Sequence, residues 1–173
     1  MPDYDLIVRN AKIVTAERQS EGDIAVKDGK VAALGADVKG TATREIDAAG
    51  KFVLPGGVDS HCHVEQLSSM GKMCADDFYS ATVSAAFGGT TTIIPFAAQH
   101  RGTSVTTTVA DYHERARTKA VIDYGFHLII GDPTEKVLAD ELPAAIRGGI
   151  TSFTSAMRMA SRAVITCFKP VAA

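Results

Sequence analysis

The first fifty residues alternate apolar and polar positions at strand period. "DLIVR" and "AKIVT" are alternating or β-branched runs, and "DIAVKDGKVAAL" places two apolar runs around Asp28-Gly29, a pair suited to the positive φ angles of a tight hairpin. "REIDAAGKFVLP" repeats the pattern around Ala49-Gly50. This spacing predicts a small antiparallel β unit over residues 1–52.

After Pro55 the periodicity changes. "KFVLPGGVDSHCH" contains a near-continuous apolar strand. "ADDFYSATVSAAFGG" has helical spacing, with Phe78, Ala81 and Ala85 on one face, acids in the first turn and Gly88-Gly89 as its end. "TTTIIPFAA" is a second buried strand, and "SVTTTVADYHERARTKA" a second helix with Val105, Val109, Tyr112 and Ala116 inward. "YGFHLII" follows as a third strand, then "TEKVLADELPAAIRGG" as a helical connection bent or broken near Pro143, and "ITSF" opens a fourth strand. Repeated βα units with apolar strands predict a parallel sheet covered by helices. A complete (β/α)8 barrel takes about 250 residues, so the span 53–153 suits about half of a TIM-type barrel. The fold class is therefore α/β, a small β unit leading into a half-barrel. Its first and fourth strands are expected to be open edges, and its stability marginal.

Composition narrows the function. Eighteen basic against twenty acidic residues, a net charge of −2 and 46% hydrophobic residues describe an ordinary globular chain with no electrostatic reason to bind nucleic acid. No apolar run reaches the roughly 18 residues of a membrane span, and the N-terminus lacks the core of a secretion signal. Three irregularly spaced cysteines, Cys62, Cys74 and Cys167, do not form a disulfide framework, so a cytoplasmic location is expected.

The chemistry concentrates in "LPGGVDSHCHVEQ". Along an extended strand Asp59, His61 and His63 share one face and Cys62 takes the other. Two histidines two apart also occur as ordinary satisfied imidazoles. Here they stand at the C-terminal end of the first barrel strand, where barrel enzymes keep their active residues, and two imidazoles on one strand face suit a zinc ion. A dinucleotide-binding domain is disfavoured, because no G-x-G-x-x-G follows the first strand. "AFGGTTT" reads as a helix end, and "GDPT" as a strand-to-helix turn capped by Asp132 or Thr134.

The stretch resembles the Asp-x-His-x-His signature of the amidohydrolase superfamily. With "ADDFYSATVSAAFGGTTTIIPFAAQHRG" and "DYGFHLIIGDPT" it is similar to the dihydropyrimidinase and hydantoinase branch, as an N-terminal fragment up to about Phe153. The resemblance implies that His61 and His63 bind one of two zinc ions. A carboxylated lysine on the fourth strand would bridge the ions, and later strands would add two histidines and an aspartate. It implies ring-opening hydrolysis of a cyclic amide such as dihydrouracil or a hydantoin by zinc-bound hydroxide, and a homo-oligomer, commonly a tetramer. Glu65 stands where dihydroorotases typically carry an arginine for a substrate carboxylate, so an uncharged cyclic amide is preferred.

After "ITSF" the likeness stops. Thr154 occupies the lysine's place and cannot form a carbamate; Lys169, fifteen positions on, has no claim to the role. Residues 154–173 read as a divergent tail, for which a frameshift or altered splice near codon 153 is preferred over a fragment or completion in trans. His127 is expected to be structural, and His113 and His100 solvated. The chain alone is therefore expected to be inactive, with at most a weak partial zinc site. The alternative is a non-catalytic relative that keeps the scaffold for assembly.

Overall fold

The structure is a computed structural model that describes residues 1–68, 70–155 and 166–167. Most of the divergent tail, Lys169 included, lies outside the described residues. The chain divides into two compact units, Met1–Pro55 and Gly56–Ala173.

The first unit is a five-stranded sheet of β1 (Tyr4–Val14), β2 (Gln19–Lys27), β3 (Lys30–Gly35), β4 (Ala42–Asp47) and β5 (Phe52–Val53). Asp28 and Gly29 take φ of 50° and 71° and join β2 to β3 in the expected hairpin. The expectation of a purely antiparallel unit is corrected, since β4 and β5 both pair with β1 in parallel. The cause is a bulge in β1 between Val8 and Ala11, with Asn10 at φ 55°. It splits β1 into a half that pairs with β4 and a half that pairs with β5. The turn at Ala49-Gly50 thus links two strands on one side of β1 rather than closing a hairpin.

Asp23 pins that bulge. Buried at 5% exposure, its carboxylate accepts from Arg9 Nη1 at 2.8 Å, the Asn10 amide at 3.0 Å and the Val38 amide at 3.2 Å. The Arg9 guanidinium foremost, then these amides, hold its carboxyl below the usual aspartate value. A carboxyl depressed on folding stabilises the fold above its ordinary pKa, and that contribution disappears as pH falls through the depressed value. Amide exchange should test this. Lowering the pH below 3.8, the reference aspartate value, should expose the Asn10 and Val38 amides before those of the second unit's strands. Asp23→Asn should remove this acid dependence.

The second unit contains β6 (Gly57–Cys62), α1 (Phe78–Phe87), β7 (Thr90–Ala98), α2 (Val105–Arg117), β8 (Asp123–Tyr124), β9 (His127–Ile130), a π-helical turn (Val137–Glu141), α3 (Leu142–Arg147), β10 (Ser152–Ser155) and β11 (Thr166–Cys167). Its sheet runs β11-β10-β9-β7-β6, and β8 also pairs with β7. From β6 to β10 all pairings are parallel. This is the α/β half-barrel architecture read from the sequence. The third strand is split, because Gly125 and Phe126 interrupt it and the Gly125 amide bonds to the Ile93 carbonyl at 3.0 Å. The fourth strand is not an edge: β10 pairs antiparallel with β11. The acids before α1 cap it instead of lying in its first turn, with Asp77 accepting from the Ser80 amide at 2.9 Å. The helical connection is interrupted near Pro143 as expected: the π-helical turn gives way to α3, with Pro143 in its first turn.

The core of this unit lies between sheet and helices. Phe78, Val105, Ala116 and Leu128 have no exposure, and Tyr112 and Phe126 meet edge to face at 5.8 Å. No helix is long and apolar enough to cross a membrane among the described residues.

Candidate metal centre

The strand β6 sets the site. Asp59 pairs with Ile93 but Cys62 pairs with Pro95, so β6 carries one extra residue against β7. Pro95 has no amide to donate, and a bulge is where a sheet interior tolerates that. Beyond the bulge Cys62 turns toward the core, packing against its apolar cluster. Burial raises its thiol to about 11, so it is a poor thiolate ligand at neutral pH.

His61 and His63 are exposed at the strand's C-terminal end. Their ring centroids lie 5.7 Å apart at 80°. Both rest on one benzene ring, that of Phe96 in β7: His61 edge-on at 4.9 Å, His63 stacked at 5.2 Å and 18°. Phe96 is 6% exposed and gives the imidazoles a fixed apolar floor. Gln66, also buried, brings Oε1 to 2.7 Å from His63 Nδ1. Asp59, the first residue of the signature, accepts from the backbone amide of His61 at 3.0 Å and so shapes the strand end.

His127 takes the structural role expected of it. Its Nε2 lies 2.8 Å from the Ser60 carbonyl, which only accepts, so Nε2 carries the proton. Nδ1 then accepts from the Ser152 hydroxyl. The ring ties β6 to β9 and β10. With Ser60, His61, Phe96 and Thr154 it lines a cavity of about 20 Å³, a volume for about one water. Thr154, at the lysine's expected place, therefore shares a cavity with His61. His113 is exposed on α2 with its ring edge-on to Phe126 at 4.9 Å. His100 is exposed in the loop after β7, its carbonyl accepting from the Thr103 amide at 3.1 Å.

Glu65 overturns one expectation. Its carboxylate is engaged by partners within the fold. Lys119 Nζ lies 2.7 and 2.9 Å from its two oxygens, and the Phe78 amide donates to it at 3.2 Å, capping α1. Its charge is paired with Lys119 rather than free, so repulsion of an anionic substrate does not rest on an unpaired acid. Gln66 and Phe96 are not legible in the sequence as site-building residues, nor Glu65 as a helix cap, because their partners are distant or depend on a backbone turn.

The donor set fits zinc in kind. Two exposed imidazoles stand side by side, one oriented by an amide oxygen, as metal-binding histidines usually are. It falls short in number, since catalytic zinc takes about three protein ligands. Among the described residues no three His, Cys, Asp or Glu side chains form a group able to hold an ion.

The chain is 48% identical over 149 residues to a D-hydantoinase of Ralstonia pickettii, covering 86% of this chain and 32% of that protein. It is 36% identical over 157 residues to the dihydropyrimidinase of Rattus norvegicus, covering 88% and 30%. A solved D-hydantoinase structure superposes with a TM-score of 0.81 at 48% identity, and a dihydropyrimidinase from Brevibacillus agri with 0.80 at 42%; each match covers 32% of the solved chain. Over that span the chain belongs to the hydantoinase–dihydropyrimidinase family. It spans about a third of the length of the relatives it matches. No family model matches it. The family likeness accounts for the half-barrel architecture.

Proposed function

We propose that this chain carries the first-strand share of a zinc site for the hydrolysis of cyclic amides of the hydantoin or dihydropyrimidine type. The observation that carries the reading is the pairing of His61 and His63 on the Phe96 ring at the C-terminal end of β6, within a chain 48% identical to a D-hydantoinase. His61 and His63 would hold the ion. When bound, such an ion polarises an amide carbonyl and acidifies water. Phe96 keeps water from one side of the imidazole pair, and the His127 bridge holds the ends of β6 and β10 at a fixed spacing.

Two ligands bind an ion weakly, and Thr154 offers a hydroxyl where a bridging carbamate is needed. The chain alone is therefore expected to take up zinc weakly and not to open rings. Zinc titration by calorimetry, with hydantoin and dihydrouracil turnover followed by absorbance, tests both parts. Uptake should vanish in His61→Ala and in His63→Ala, with turnover no faster than in a zinc-only control. Uptake unchanged in the double variant would overturn the ligand assignment. Zinc-dependent turnover by the purified chain would overturn the inactivity. No uptake by the unmodified chain would favour the non-catalytic scaffold reading.

A further inference from the structure

We infer that Gln66 is a positioning residue that selects the tautomer of His63, leaving Nε2 as the nitrogen with which that ring meets an ion. The consequence for metal rests on the function proposed above; the tautomer itself does not.

The amide oxygen of Gln66 sits 2.7 Å from His63 Nδ1. An amide oxygen only accepts, so the proton of the neutral ring stays on Nδ1 and the lone pair on Nε2. Phe96 fixes the plane of the ring by stacking at 18°. A half-turn of the imidazole would preserve that stack, so the plane alone does not decide which nitrogen faces Gln66. The hydrogen bond does.

Gln66 is held where this requires. Glu65 adopts φ 45°, a left-handed conformation uncommon outside glycine. Contacts on all sides fix that turn. The Glu65 amide donates to the Asp76 carbonyl at 3.0 Å, and the Cys74 amide donates to the Gln66 carbonyl at 3.0 Å. Arg115 Nη1 donates to the Glu65 carbonyl at 3.1 Å, while Lys119 and the Phe78 amide bind the Glu65 carboxylate. The turn sends the chain back so that the buried Gln66 side chain, 9% exposed, returns to the ring three residues earlier. Burial makes a lost partner costly for the amide, which reinforces the pairing.

Long-range ¹H–¹⁵N correlation spectra of the imidazoles in the metal-free chain, above the pH of imidazole titration, read the tautomer directly. His63 should carry its proton on Nδ1 in the unmodified chain and in Gln66→Glu, which keeps an acceptor. Gln66→Leu, which keeps the bulk, should move the proton toward Nε2 while leaving the His61 signals in place. Zinc affinity should fall about tenfold in Gln66→Leu and be retained in Gln66→Glu. A proton on Nε2 in the unmodified chain would overturn the inference, as would spectra indifferent to Gln66→Leu. The unmodified chain decides even if a variant does not fold. Zinc uptake failing while the tautomer pattern holds would sink the metal reading and leave the positioning role standing.

Discussion

Truncation of Phe78 to alanine is expected to destabilise the chain by about 3–5 kcal/mol, the range for emptying a buried aromatic site. Phe78 is the first residue of α1 and has no exposed surface. Its ring lies 6.1 Å from that of Phe126, edge to face, and 6.3 Å from that of Tyr124, so one side chain joins the helix to the split third strand. The surroundings have little freedom to collapse into the void, because Tyr124 is held in β8 and Phe126 is buried directly before β9. Denaturant unfolding followed by circular dichroism measures the change. Tyr79 is 57% exposed, and Tyr79→Ala should shift the midpoint by a small fraction of that. Equal losses at 78 and 79 would mean that the helix is not docked through Phe78.

Glu65→Ala is expected to cost about 2 kcal/mol, chiefly through the charge-assisted bond to the Phe78 amide. That bond satisfies one of the donors a helix start leaves unpaired. The ion pair with Lys119 reaches the solvent and contributes less. Glu65→Gln, which keeps an oxygen for the Phe78 amide, should recover most of the loss. A cycle with Lys119→Met separates the two contributions by denaturant unfolding. If Glu65→Gln is as damaging as Glu65→Ala, the ion pair and not the cap is the main source of stability.

These two residues also mark where the sequence was readable. The helix beginning at Phe78, its small-residue face and its glycine end follow from local periodicity. So does the hairpin at Asp28-Gly29, since both residues reach positive φ easily. The matching pair Ala49-Gly50 also has positive φ, 48° and 74°. Its strands nevertheless pair with β1, because the β1 bulge and its Asp23 anchor are non-local. The histidine pair was visible from strand alternation. The bulge opposite Pro95 was not, because it depends on which strand lies alongside. Glu65 looked like a substrate-facing acid for the same reason: Lys119, its partner, lies 54 residues further along the chain. Gln66 carried no signal at all, since its reach back to His63 depends on the left-handed turn at Glu65.

The bulged strand β6 has a further consequence. Among the described residues it pairs on one flank only, with β7, and Val58 on it is 61% exposed. The bare flank carries no lysine to discourage a second chain from adding there. A border of this kind leaves backbone amides and carbonyls free to accept one more strand, so this is the side of the sheet on which a further strand would dock.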